Sequence, residues 1–349
     1  MAAGQPLSEF ELIGRYFKRP MPPGVLGPGD DCALLPAGRS HLAVSTDMLV
    51  AGRHFFDDVE PRRLGHKALA VNLSDLAAMA AQPAGCVLAL ALPSADEAWV
   101  AAFAEGWYAL ADRWNCPLVG GDTTRARHDL AITVTVLGEV PARQALRRDA
   151  ARQGDDIWVS GCLGAAEVAL QLAWSLRGLP MAAGQSALPL QRWVAGLKPP
   201  EREQWWRQTR DALELPEPRI GLGLALRGVA HAALDISDGL LQDLGHILAA
   251  SNCGAEVRID DLPLGALSQL PPEAAWQAAL GGGDAYELCF TAAPARRAEV
   301  QAASRDAGVA VARIGAILPP AAGLRIIDPA GSPLAPWVRG YDHFAETLP

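Results

Sequence analysis

The sequence predicts an α/β (α+β) protein of two domains, each a sheet with helices packed against it. Three observations carry that prediction. Apolar strand-like runs alternate with longer helical patterns along most of the chain. A polar, turn-rich stretch, "PARQALRRDAARQGD" (residues 141–155), interrupts the alternation, which then starts again. The 349 residues also suffice for about two domains with a core each. The expected domains are 1–145 and 146–349.

In the first domain, Ser8 and Glu11 form a capping-box pattern ahead of an amphipathic helix through Phe17. "DCALLP" and "HLAVSTD" read as strands joined by the turn "AGRS". A helix is expected from about Arg62 to Ala81, then a buried strand "AGCVLALAL" and the helix "ADEAWVAAFAEGWYALADRW". Strands "CPLVGG" and "LAITVTVLGEV" complete a layer with its helices on one face of the sheet.

The second domain opens with strand "DIWVSG" and a helix from about Leu163. Residues 178–217, rich in Pro and Trp, read as a helical insertion or lid. "GLGLALRG" (221–228) reads as a helix whose glycines serve packing rather than phosphate binding. Strand "HAALDIS", helix "GLLQDLGHILAA", strands "AEVRID" and "YELCFTA", a helix at 295–307 and strands near Val309 and Leu324 follow.

Half of the residues are hydrophobic and a fifth charged, as in a globular chain. A net charge of −9 with no basic stripe argues against nucleic-acid binding. The six cysteines form no CxxC pair, so they are expected to be reduced thiols rather than zinc ligands. The N-terminal segment has neither a basic n-region nor an apolar h-region, and no apolar run is long enough for a membrane span. A cytoplasmic location is expected.

Aspartates repeat one theme. Asp30 and Asp31 ("GDD"), Asp47 ("STD"), Asp122 ("GGD"), Asp235 and Asp238 ("DISDG") and Asp284 ("GGGD") stand where apolar runs meet Gly, Ser or Thr. Asp75 is expected on a helix, with Asn72 one turn earlier on the same face. Any single one reads as a turn or cap residue. The whole set, in a chain whose only lysines are Lys18, Lys67 and Lys198, points instead to hard divalent cations. Mg²⁺ takes oxygen ligands and shares them with substrate phosphates, so a Mg²⁺–nucleotide site is the first expectation.

Other phosphate grips are missing: there is no G-x-x-x-x-G-K-[ST], no strand-borne G-x-G-x-x-G and no protein-kinase motif set. No nucleophile elbow is present either. His54 reads equally as an anion contact or an ordinary histidine, and the other six histidines read as structural. Arg147 and Arg148 read as a phosphate clamp or a solvated surface pair.

Taken together, "GDDCALL", "STDMLVAGRHF", "KALAVNLSDLAAMAA", "GGDTTR", "ALDISDGLLQDLGHI" and "YELCF" resemble the thiamine-monophosphate kinase family, in the right order over most of the chain. The resemblance implies the aminoimidazole-ribonucleotide-synthetase-like fold. In it the N-terminal domain forms a barrel-like core with a second subunit's, giving a homodimer, and a C-terminal α/β domain packs against it. It implies ATP and thiamine monophosphate as substrates, direct in-line transfer, and several Mg²⁺ ions. Carried onto this chain, the metal ligands fall on Asp30, Ser45, Thr46, Asp47, Asp75, Asp122, Asp235 and Asp238. ATP contacts fall on Gly121, Asp122, Arg148 and Ser237, and acceptor contacts on His54, Asp284 and Tyr341. Asp30 is then the ligand of its pair, with Asp31 supporting the turn or standing behind the metal ligands.

The chain departs from the family pattern at "GGGDAYE", where Asp284 replaces a Glu and Ala285 an Asp. A sister synthetase of the superfamily, a non-catalytic Mg²⁺–nucleotide sensor and a Mg²⁺ phosphohydrolase are the alternatives.

Overall fold

The computed structural model describes residues 20–27, 29–179 and 188–334. The helix expected at Ser8–Phe17 lies outside them, as does Tyr341.

The first sheet contains β1 (Ala33–Ala37), β2 (Ser40–Val50), β3 (Gln82–Leu92), β4 (Leu118–Arg125) and β5 (Ala131–Pro141). Their order is β1-β2-β5-β3-β4, and only the β3–β4 pair is parallel. Strand β5 alternates as expected for a sheet covered on one face: Ile132, Val134, Val136 and Val140 are buried, while Thr133, Thr135 and Leu137 are half-buried.

Helices α1 (Pro61–Ala78) and α2 (Glu97–Arg113) join this layer. Pro61 opens α1, where its missing N–H costs nothing, and Asp96 caps α2 by accepting from Ala98 and Trp99 N–H. The two helices cross almost backbone to backbone. A Cβ on Gly65 would fall 2.0 Å from the Phe103 carbonyl oxygen, and one on Gly106 1.8 Å from that of Arg62.

The second sheet has β6 (Asp156–Ser160), β7 (Ala232–Asp235), β8 (Gly254–Arg258), β9 (Leu288–Ala292), β10 (Val311–Leu318), β11 (Leu324–Ile327) and β12 (Pro333–Leu334). The order is β12-β11-β8-β10-β6-β9-β7, antiparallel except for β8–β11. Its helices are α3 (Ala165–Leu176), α4 (Pro189–Gly196), α5 (Pro199–Glu214), α6 (Ile220–Ala225), α7 (Leu240–Ser251), α8 (Pro272–Gly281) and α9 (Arg297–Ala307). Helix α8 is absent from the sequence expectation, because its short Ala-rich run between Pro272 and the glycines gives little periodicity.

Helix α1 packs against both sheets. It is buried almost all round, including Leu64, Leu69, Leu73 and Leu76. One apolar core joins its residues to β-strand residues of both sheets, among them Ile132, Trp158 and Phe290. Its polar residues Lys67, Asn72, Ser74 and Asp75 are therefore carried into the seam between the sheets.

Helix α5 of the 178–217 stretch, with Glu217 after it, is tied back to the first layer by ion pairs. Arg63 meets Asp211 and Glu214, Arg210 reaches Glu60, and Arg113 meets Glu217. Among the described residues, no helix is long and apolar enough to cross a membrane.

Candidate active site

Asp31, Asp75 and Asp235 each bring a carboxylate oxygen to within 4.8 Å of the others. They come from the turn before β1, from α1 and from the last residue of β7, so the site exists only once both sheets are assembled. Burial and mutual repulsion make the cluster costly as anions. Asp75 titrates well above the usual carboxylate range, from burial first and the Asp47 charge second. Asp235 does the same, from burial and then the charge of Asp31.

Asp31, rather than Asp30, is the converging member of the Gly-Asp-Asp turn. Both carboxylates of the pair are buried beside the Arg148 guanidinium, but it is Asp31 whose oxygen converges on Asp75 and Asp235. Asp30 instead accepts from the Arg148 backbone N–H at 3.2 Å and the Asp31 N–H at 3.1 Å. Burial, then the neighbouring Asp31, push its carboxyl up to about 7 against the pull of Arg148. Arg148, in the 3-10 turn Arg148–Ala150, forks Asp31 with Nε at 3.1 Å and Nη2 at 3.0 Å. In a chain with few lysines, arginine supplies the counter-charge here. Yet one guanidinium faces three converging acids, and hard oxygen donors left in such excess fit Mg²⁺.

Strand β2 supports this floor. Ser45 Oγ donates to Asp75 at 2.6 Å, and the Asp47 N–H donates to Asn72 Oδ1 at 3.0 Å. Asn72 is fixed in turn by donating to the Ala68 carbonyl one turn earlier. Thr46 Oγ1 lies 2.8 Å from Thr135 Oγ1 of β5. The sequence places the end of this strand at Asp47, but β2 runs on to Val50 because Met48–Val50 pair with Ala131–Thr133. Asp122 likewise lies within β4, exposed on the edge strand, and its carboxylate is not part of the converging group. Beside it, Gly121 passes so close to β3 that a Cβ would lie 2.0 Å from the Leu88 carbonyl oxygen.

The "DISDG" loop after β7 is built by a residue that the sequence reading passed over. Asp243 Oδ2 accepts from the N–H groups of Ser237, Asp238 and Gly239 at 3.1, 3.0 and 3.0 Å. Burial, then the charge of Asp238, raise its carboxyl to about 7. Gln242 holds Asp238 Oδ2 at 3.1 Å. The signal was available: an acid four residues after Gly239, on the first turn of α7, faces the loop amides.

The third group joins the two layers again. Lys67 Nζ of α1 donates to Asp284 Oδ2 at 2.9 Å and to the His54 carbonyl at 3.3 Å. Tyr286 Oη donates to the other Asp284 oxygen at 2.9 Å. Burial, then the charges of Asp284 and Asp47, keep the Tyr286 phenol protonated far above its usual range. His54 Nδ1 accepts from the Val50 N–H at 3.0 Å, which puts the neutral ring's proton on Nε2. The six cysteines are all free thiols.

Residues 29–140 match the AIR synthase related protein, N-terminal domain, and residues 191–323 its C-terminal domain. Thiamine-monophosphate kinase of Escherichia coli K12 is 43% identical over 97% of this chain and 98% of that protein. The Haemophilus influenzae enzyme of the same name is 39% identical over 89% of each. Among solved structures, thiamine-monophosphate kinase from Stenotrophomonas maltophilia K279a is 46% identical, with a TM-score of 0.72 over 86% of this chain and 90% of that one. AaThiL complexed with AMPPCP and TMP is 26% identical, with a TM-score of 0.71 over 90% and 91%. With likeness of this extent in sequence and in fold, the chain belongs to the thiamine-monophosphate kinase family.

Proposed function

We propose that the protein transfers the γ-phosphoryl group of ATP to thiamine monophosphate, giving ADP and thiamine diphosphate. The observation that carries this reading is the convergence of Asp31, Asp75 and Asp235 beside the loop held by Asp243 and the Lys67–Asp284 pair, in a chain of this family.

Magnesium would be held by Asp31, Asp75 and Asp235, with Asp30, Ser45, Thr46, Asp47, Asp122 and Asp238 as further candidates. When bound, it supplies charge neutralisation for the transferring phosphoryl group. The chain's own residues supply position. Arg148 spends two of its N–H donors on Asp31 and keeps others for an ATP phosphate. Ser237, whose N–H and carbonyl are spent on Asp243 and Asp284, offers its hydroxyl to the nucleotide, and Gly121 offers edge-strand backbone. His54 offers Nε2–H, and Asp284 an already oriented carboxylate, to the acceptor; Tyr341, assigned to the same role, lies outside the described residues. The attacking group is already an anionic phosphate, so no general base and no covalent intermediate is required.

We further propose that the protein is a homodimer of the cytoplasm. The face of the first sheet opposite α1 exposes Met48 (57%) and Val119 (62%) beside threonines, and among the described residues β4 is an unpaired edge.

Incubating the purified protein with Mg²⁺-ATP and several phosphate acceptors side by side tests the function. Thiamine diphosphate with one ADP per product is expected. ATP turnover that ignores the acceptor would instead make the protein a phosphohydrolase.

A further inference from the structure

Lys67 is buried, only 4% exposed, and its ammonium touches two residues that sit on opposite sides of the seam. Asp284 belongs to the segment entering β9, and His54 to the turn that leaves β2. A buried lysine paired with one carboxylate seldom adds net stability, so stability alone does not explain its place here.

The backbone around Asp284 makes the same point independently. Asp284 and Tyr286 both adopt left-handed conformations, φ +57° and +48°. Non-glycine residues hold such angles only where their surroundings fix them, and these clusters occur at ligand sites. The segment is fixed by Asp284 N–H donating to the Ser237 carbonyl and Tyr286 N–H to that of Ile236, both at 2.8 Å. The strained stretch thus docks on the "DISDG" loop while its carboxylate reaches across to Lys67. The surroundings are otherwise acidic: the charges of Asp47 and Asp235 bear on Tyr286, and that of Asp284 bears on half-buried Glu167.

We propose that Lys67 is a positioning residue for the phosphate acceptor. It aims the Asp284 carboxylate and anchors the His54 turn in one constellation. It also cancels the Asp284 charge, so that an acceptor carrying both a cationic ring and an anionic phosphate meets a balanced site rather than one more acid. This inference rests on the function proposed above, and it extends it to a residue outside the metal and nucleotide machinery.

The test is steady-state kinetics of the full-length protein with both substrates varied, on Lys67→Met, Lys67→Arg, Asp284→Asn and the Lys67→Met/Asp284→Asn double variant. For Lys67→Met the KM for thiamine monophosphate rises about tenfold, the effect of stranding one buried partner, while the KM for ATP stays within about twofold. Lys67→Arg restores part of the loss. The double variant is no worse than the poorer single one, because both remove the same contact. Equal rises in both KM values, an unchanged acceptor KM, or additive losses would overturn the role. If Lys67→Met does not fold, Lys67→Arg decides, through the same contrast between the two KM values. A wild-type protein that makes no thiamine diphosphate would sink the function itself; a working wild type with an unaffected Lys67 variant sinks only this inference.

Discussion

Arg148 meets Asp31 with two parallel hydrogen bonds, at 3.0 and 3.1 Å, across the seam between the two sheets. Its carbonyl also accepts from Ser251 Oγ at the end of α7, and its N–H is spent on Asp30. One residue therefore ties the Gly-Asp-Asp turn to the second layer and offsets the acid whose partners are most expensive to keep charged.

Replacing that residue should expose both roles. Arg148→Met is expected to destabilise the fold by ~3 kcal/mol, since it strands a buried carboxylate, and to abolish transfer. Arg148→Lys keeps the charge but cannot fork, and should fall between the two. Urea midpoints alongside product assays check this; a variant as stable as the wild type would show that Asp31 does not depend on the guanidinium.

Neutralising a member of the cluster should have the opposite sign on stability. Asp75→Asn or Asp235→Asn relieves burial and repulsion that raise both pKa values, so the metal-free protein should gain stability. The same variants should lose the rise in Tm that Mg²⁺ gives the wild type, and lose activity. Melting curves with and without Mg²⁺ decide. Destabilisation of the metal-free protein would mean that these acids serve the fold rather than a cation.

The raised acids also set a pH dependence. Asp30 and Asp243 move from the usual 3.8 to about 7, and Asp75 and Asp235 move the same way. Between about pH 4 and 7 the folded state then holds more protons than the unfolded one, so stability falls as pH rises. His246, lowered to about 4 by burial and then by Arg148, and His66, lowered by burial, act oppositely, but as two groups against five acids, Glu167 included. In chelator, Tm should decline from pH 5 to pH 8, and Asp243→Asn should flatten part of that slope. A Tm that climbs over this range would contradict the assignment.

Much of this molecule was legible because its elements announce themselves locally. The β5 alternation and the apolar length of α1 are period signals that packing does not override. The acids of "GDD", "NLSD" and "DISDG" stood out for the same reason, as charged residues at apolar boundaries. What the sequence could not show was which oxygen turns inward. Asp31 replaces Asp30 in the convergence through the orientation of one turn, and that orientation is set by Arg148, more than a hundred residues away. The Lys67–Asp284 pair is hidden for the same reason: its partners are separated by 217 positions and meet only when α1 lies between the sheets. Asp243 was legible as an acid on the first turn of α7, but the path of the loop whose three amides it holds was not.

Phosphoryl transfer to thiamine monophosphate is tested most directly by following ATP labelled in its γ-phosphoryl group. With equimolar acceptor and Mg²⁺, the label is expected in the terminal phosphate of thiamine diphosphate, matched by one ADP and little inorganic phosphate. Label released as inorganic phosphate, with thiamine monophosphate left unchanged, would contradict it.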